Sequence, residues 1–200
     1  MTTDQKRTLL KQLFLQSAFV KDAEKGYVVV ESFNLAIDPD VLELASRCWA
    51  DLFKDFKDID AVVGLPDAGA RLAPLLAEKL HAHTILPSKR VPNPPGAWKD
   101  VVSYSNSSFT TNQDEVVSHI GFVRAGMKVL LVDDVVAHGN TAVAAINALK
   151  KVGVDVIGIA VLFDKSWQEG RKRVERETGV KVSSLISIDL ITPKGKLVLE

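Results

Sequence analysis

Short apolar runs alternate along the chain with longer stretches in which apolar residues recur every three or four positions, the rhythm of parallel strands joined by helical crossovers. Residues 8–19 carry a first helical pattern, and residues 27–33 form a Val-rich strand. Asp38 and Pro39 read as a helix start, because Asp accepts N–H bonds at an N-cap and Pro suits the first helical position; an amphipathic helix is predicted from there to about residue 56. Residues 59–65 read as a buried strand, 70–80 as a helix and 84–86 as a short strand. Pro87, Pro92, Pro94 and Pro95 then exclude helix and central strand, and 101–104 with 116–120 read as the arms of a hairpin. The strand, helix, strand order resumes at Lys128. Val129, Leu130, Leu131 and Val132 make a strand buried on both faces, 142–151 a helix with a stripe at Val143, Ile146 and Leu149, and 154–163 a further strand. A helix over 168–177 and an extended tail over 180–191 complete the pattern. The predicted class is α/β, a mainly parallel sheet flanked by helices. Leu65, Asp134 and Phe163 arrive at the carboxyl ends of its strands, where such sheets bind ligands.

Candidate chemistry concentrates at those ends. Residues 128–141 read Lys-Val-Leu-Leu-Val-Asp-Asp-Val-Val-Ala-His-Gly-Asn-Thr, a strand ending in two adjacent carboxylates, Asp133 and Asp134, followed by a small turn into a helix. At such a turn the N–H groups of the loop and of the first helical turn lack helical partners and can hold an anion; Gly139 permits close approach and Thr141 offers a hydroxyl. Carboxylates this close to an anion site do not bind phosphate themselves. A ligand that suits both presents hydroxyls, or a metal ion, beside its phosphate, and a ribose 5-phosphate does so. The competing reading is a buried strand with an acidic end and a helix cap. Response-regulator receiver domains also end an apolar strand in two Asp, but there the strand opens the domain, whereas here it stands too late in the chain.

Two other strand ends are open to two readings each. Gly64-Leu65-Pro66-Asp67-Ala68-Gly69-Ala70-Arg71 is either a tight strand-to-helix turn or an anion site at a helix N-terminus. In Phe163-Asp164-Lys165-Ser166-Trp167-Gln168-Glu169-Gly170-Arg171, Lys165 is either solvated, with Trp167 capping the core, or part of a ligand pocket.

The segment around Asp133 and Asp134 resembles the signature of the type I phosphoribosyltransferases, which use 5-phosphoribosyl 1-diphosphate (PRPP). The resemblance implies that Asp133 and Asp134 are catalytic and sit beside the ribose 2- and 3-hydroxyls, and that Ala137, His138, Gly139, Asn140 and Thr141 wrap the 5-phosphate. It further implies that Ala68, Gly69 and Ala70 hold the diphosphate and that a polar flap over 105–115 closes on the substrate; Lys89 and Arg90 before it are either a solvated basic pair or a wall of the diphosphate site. Many members have Thr where this chain has His138, and the Ala-polar-Gly loop is more similar to the xanthine phosphoribosyltransferase branch. The acidic-Lys-Ser-aromatic-Gln-x-Gly-Arg run at Lys165 is similar to the same branch, whose Lys contacts the purine. Lys only donates, so it complements an oxo group on a base and opposes the exocyclic amine of adenine. Val30-Glu31-Ser32-Phe33-Asn34, with Ile37-Asp38-Pro39 after it, also resembles that branch, with one residue fewer between Phe33 and Ile37. Asn34 would meet the base there, with Val28 and Trp167 lining the pocket.

The implied organisation is one phosphoribosyltransferase domain over 1–200, with a small hood from about 1–38 and 165–200 and a flap hairpin over about 87–120. The implied activity transfers ribose 5-phosphate from PRPP to a purine base, most readily xanthine, with Mg2+ carried mainly on PRPP and no metal ligands from the protein. A homodimer is implied by analogy. The alternatives are a type I transferase for hypoxanthine or guanine, adenine or orotate, and a non-catalytic PRPP-sensing regulator; the latter class would carry a DNA-binding appendage, for which the stretch before the hood strand is short.

Composition narrows the partners. Hydrophobic residues make up 46% of the 200, enough for a sizeable core, and 25 basic against 25 acidic residues leave no net charge, so neither nucleic acid nor a membrane surface has a global electrostatic attraction. Lys11, Gln12 and Gln16 break the first apolar run, and a cytoplasmic protein is expected. The single Cys48 lies in a stripe with Val41, Ala45 and Leu52 and is expected in the core. His81, His83, His119 and His138 are scattered and form no metal-ligand constellation.

Overall fold

The apolar runs that read as buried strands stand side by side in one sheet. The computed structural model describes residues 1–89, 100–106 and 116–200. Arg90, Pro92, Pro94, Pro95 and flap residues 107–115 lie outside the described residues. In chain order the elements are α1 (Thr3–Ser17), β1 (Ala18–Asp22), β2 (Tyr27–Val30), a π-helical turn (Glu31–Leu35), α2 (Pro39–Phe53), β3 (Ala61–Gly64), α3 (Gly69–Leu80), β4 (His83–Ile85), β5 (Val102–Asn106), β6 (Val116–Ile120), β7 (Lys128–Val136), α4 (Asn140–Lys151), β8 (Asp155–Lys165), a 3-10 turn (Ser166–Gln168), α5 (Gly170–Thr178), β9 (Val182–Ile191) and β10 (Leu197–Leu199).

The main sheet runs β10-β9-β8-β7-β3-β4. All its pairs are parallel except β10 on β9. From β3 the chain moves outward through α3 to β4, and from β7 it moves the opposite way through α4 to β8. The sheet therefore has its topological switch point between β3 and β7, where the loops diverge and leave a crevice at the carboxyl ends. One hydrophobic core packs α1, α2 and α3 on one face, centred on Trp49, Phe14, Leu72 and Leu76; the other packs α4, α5 and the β5–β6 hairpin, with Ile146, Leu149, Val174 and Ile120. Cys48 is fully buried in the first core, and burial pushes its thiol pKa up, so it packs as a small apolar group.

Several boundaries differ from the sequence pattern for local reasons. The first helix starts at Thr3, because the Thr2 hydroxyl accepts from the Gln5 N–H while the Gln5 side chain accepts from the Thr2 N–H at 2.8 Å, a capping box. It ends at Ser17, and Phe19 falls instead in β1, which pairs antiparallel with β2. The strand expected to run to Phe33 stops at Val30, where the chain coils into the π-helical turn, closed by the Ala36 N–H on the Glu31 carbonyl at 3.0 Å. The second helix ends at Phe53, and Leu52 is 41% exposed; Phe53, one turn on from Trp49, takes the core position instead. Gln168 lies in the 3-10 turn, so α5 begins only at Gly170. Among the described residues no helix is long and apolar enough to cross a membrane.

Trp49 is fully buried and its indole N–H donates to the Ser183 carbonyl at 3.3 Å, tying α2 to β9. Trp49→Ala removes both packing and that bond, and should cost roughly 3–5 kcal/mol, read as a lowered urea midpoint at unchanged slope.

Candidate active site at the end of strand 7

Strand β7 outruns its neighbour β3. Their register ends at Gly64 opposite Val132, and the Leu65 N–H still reaches the Val132 carbonyl at 2.8 Å before the chain turns away. Asp133 and Asp134 therefore stand on the part of β7 that is paired only with β8, at the open side of the switch point. Both side chains are half-buried. The Asp134 N–H donates to Asp133 Oδ1 at 2.9 Å, and Asn34 Nδ2 donates to Asp134 Oδ2 at 3.4 Å. Burial raises both carboxyl pKa values; for Asp133 the neighbouring charge of Asp134 adds to the rise, and for Asp134 the Asn34 amide opposes it.

Past Val136 the 137–141 loop turns into α4. Gly139 caps the helix at φ +77°, and no side chain caps the end. As at any helix N-terminus, the first bond within the helix runs from the fourth helical residue, here the Val143 N–H to the Gly139 carbonyl at 2.9 Å. The loop is held from behind by α5: a Cβ at Gly170 would lie 2.1 Å from the Ala137 carbonyl oxygen, and one at Gly139 would meet the Val174 side chain at 2.8 Å. The Asn140 side chain accepts from Arg173 and so faces α5; its contribution to an anion site is its backbone. Neither Gly170 nor Arg173 stands out in the sequence as a site residue, although Gly170 belongs to the run that begins at Asp164.

The turn after β3 closes against the same strand. A Cβ at Gly69 would lie 2.3 Å from the Val132 carbonyl oxygen and 3.0 Å from the Asp133 Cα, so the start of α3 rests directly on the carboxylate-bearing strand. The Pro66–Asp67 peptide is cis. Ala68 is the N-cap of α3 and offers no side-chain bond, while the Ala70 N–H is already taken by the Leu65 carbonyl at 3.1 Å. Lys89 joins this turn through an exposed ion pair with Asp67 at 2.9 Å; the residue before it, Ser88, is fixed by a bridge to His119 of the hairpin.

On the other side of β7, Lys165 ends β8. Burial lowers its pKa and the Asp134 carboxylate opposes that shift, which places the ammonium within electrostatic reach of the pair. Trp167 is 38% exposed, and the β1–β2 turn lies against it, since a Cβ at Gly26 would meet its ring at 3.2 Å. The π-helical turn carries Asn34 to Asp134; Asn34 Oδ1 accepts from the Val30 N–H at 2.9 Å, so the amide is engaged at both ends. Val28 is only 6% exposed and packs in the first core with Val30 and Phe33, so its side chain supports the wall and does not stand in an open cleft. Among the described residues no group of three His, Cys, Asp or Glu could hold a metal ion.

A carboxylate pair, a small loop opening a helix and a half-buried lysine thus gather at the carboxyl ends of β7 and β8. The family model of the phosphoribosyl transferase domain matches residues 34–190. The chain belongs to that family. A hypoxanthine/guanine phosphoribosyltransferase of Methanothermus fervidus is 34% identical over 146 residues, covering 72% of this chain and 71% of the relative. A xanthine phosphoribosyltransferase 2 of Clostridium perfringens is 28% identical over 171 residues, covering 84% and 88%. The crystal structure of adenine phosphoribosyltransferase from Rhodothermus marinus superposes with a TM-score of 0.71 at 23% identity, covering 92% of this chain and 99% of that one, which shows the phosphoribosyltransferase fold. The fold expected of a type I phosphoribosyltransferase, a mainly parallel sheet flanked by helices, is the one observed.

The raised carboxyl pKa has a consequence for stability. Asp133 binds its proton more tightly in the folded than in the unfolded chain, so its contribution favours the fold below the ordinary aspartate range and is lost as pH rises through the folded value. Asp133→Asn keeps an acceptor for the Asp134 N–H and removes the conflict. Without ligand it should be more stable than the parent at neutral pH by roughly 1 kcal/mol, and the advantage should vanish below the aspartate range, as read by denaturation at the two pH values.

Proposed function

We propose that the protein transfers ribose 5-phosphate from PRPP to a ring nitrogen of an oxopurine, xanthine foremost, and releases diphosphate, as a purine-salvage enzyme. The observation that carries this reading is the place of the Asp133–Asp134 pair, between the 137–141 loop and Lys165, with Asn34 on its outer carboxylate. A ligand spanning those groups needs a phosphate, vicinal hydroxyls and an oxygen-bearing acceptor. The names of the relatives from M. fervidus and C. perfringens support a purine as acceptor.

In this mechanism the 137–141 loop takes the 5-phosphate and Ala68, Gly69 and Ala70 line the diphosphate side, with Lys89 beside them. The bond from the sugar to diphosphate breaks ahead of bond formation, so the sugar becomes oxocarbenium-like and catalysis rests on positioning and electrostatics. Asp133 and Asp134 orient the ribose hydroxyls, and their negative charge faces the developing cation. Mg2+ carried on PRPP would supply charge neutralisation at the diphosphate, and the hard carboxylate oxygens of Asp133 and Asp134 would hold its bound waters. Lys165 donates to an oxo group of the base, and Trp167 and Asn34 border the base. Hypoxanthine or guanine is a second reading, favoured by the M. fervidus relative, because Lys165 suits any 6-oxo base. A homodimer in the cytoplasm belongs to the same reading by analogy with the family.

Product formation is measured with PRPP, Mg2+ and, separately, xanthine, hypoxanthine, guanine, adenine and orotate. Xanthine should give the highest kcat/KM, and Asp133→Ala/Asp134→Ala should lower it by at least about 100-fold while the chain stays folded. Preference for another base would replace the acceptor assignment, and PRPP binding without turnover of any base would make the protein a sensor.

A further inference from the structure

The 137–141 loop has two sides, and its far side is occupied by α5. Arg173 lies about one turn beyond Gly170. Its guanidinium donates to the His138 carbonyl at 3.3 Å and to Asn140 Oδ1, while its Nε donates to Glu177 Oε1 at 3.0 Å. Gly170 leaves just enough room for the Ala137 carbonyl. Two successive carbonyls of the loop are thus held on the α5 side, one by a charged fork and one by backbone contact. In a planar trans peptide the N–H points opposite its C=O, so holding the His138 carbonyl fixes the direction of the Gly139 N–H, and confining the Ala137 carbonyl does the same for the His138 N–H. A loop that grips an anion with its N–H groups needs that orientation before the anion arrives, because turning peptides at the moment of binding would cost affinity.

We infer that Arg173, oriented by Glu177, is a positioning residue that presets the 137–141 loop for a sugar phosphate. This rests on the functional reading above and extends it to a residue outside the crevice. The guanidinium suits the task because its planar fork serves the His138 carbonyl, the Asn140 amide oxygen and the Glu177 carboxylate at once; a lysine ammonium, a single compact centre, does not match that spread. The loop and the base side are also joined, since α5 follows directly from Lys165 and Trp167 through the 3-10 turn.

The test uses the full chain and two readouts, steady-state kinetics with varied PRPP and calorimetric binding of ribose 5-phosphate. Arg173→Ala should raise KM for PRPP and weaken ribose 5-phosphate binding by roughly tenfold each, the size of one lost charge-assisted hydrogen bond, with kcat changed much less. Arg173→Lys should recover only part of the loss, and Glu177→Ala should show a smaller loss in the same direction. Parent-like KM and ribose 5-phosphate affinity in Arg173→Ala would overturn the inference, as would a fall in kcat with melting temperature at unchanged KM. If the parent binds ribose 5-phosphate but transfers it to no base, the binding arm still decides the role of Arg173 while the transferase reading falls.

Discussion

Everything at the crevice depends on close backbone contact with strand β7. The start of α3 touches the Val132 carbonyl and the Asp133 Cα at Gly69, and the start of α5 touches the Ala137 carbonyl at Gly170. A single methyl at Gly69 would overlap backbone of β7 that its pairing with β8 holds in place, and one at Gly170 would overlap the backbone of the loop that follows β7. Two helices from opposite faces of the sheet therefore converge on one strand end, and the intervals between them are set by peptide groups and not by adaptable side chains. Such contacts give a site rigidity at small cost in conformational freedom, because the helices are already anchored by their own cores.

That rigidity is what allows two neighbouring carboxylates to persist. Burial disfavours the charge of both Asp133 and Asp134, and the charge of Asp134 adds to the penalty on Asp133. A flexible strand end would swing one of them into water. Here the pairing with β8 and the Asn34 amide hold them. Asn34 reaches the pair only because the chain coils into the π-helical turn after β2, an irregularity of the kind that often marks functional positions.

The mainly parallel α/β class, the strand ends that gather the candidate site and the carboxylate pair were legible in the sequence because they rest on local signals: fully apolar runs for buried parallel strands, Asp38-Pro39 for a helix start, and the Asp-Asp followed by small residues for the loop; the order of the strands was not. What was not legible depends on partners distant in the chain. The β1–β2 hairpin and the π-helical turn replace a continued helix and strand through pairing such as Ala18 with Val30. The resemblance gives Val28 as a pocket residue, and its side chain packs into the first core with Val30 and Phe33. The bond from Arg173 to Asn140 spans 33 positions, and no periodicity announces it. Asn140 itself reads as a loop ligand until the structure turns its side chain away.

The electrostatics of the crevice argue for a ligand that carries both signs of complement. Burial pushes Asp133 and Asp134 toward their neutral forms and Lys165 toward its own, yet Lys165 and Asp134 each favour the charged state of the other. A neutral apolar ligand would deepen all three penalties. A ligand with hydroxyls for the carboxylates, an oxo group for the ammonium and a phosphate for the turn into α4 would relieve each at its own place. Because the chain has no net charge, nothing outside the crevice supplies that attraction. The spacing of these groups along β7 and β8 is set by the register of Asp133 with Val161 and of Val136 with Asp164. A one-residue slip of that register would turn the β7 side chains to the opposite face relative to Lys165, which is why the sheet itself, more than any single side chain, holds these groups together.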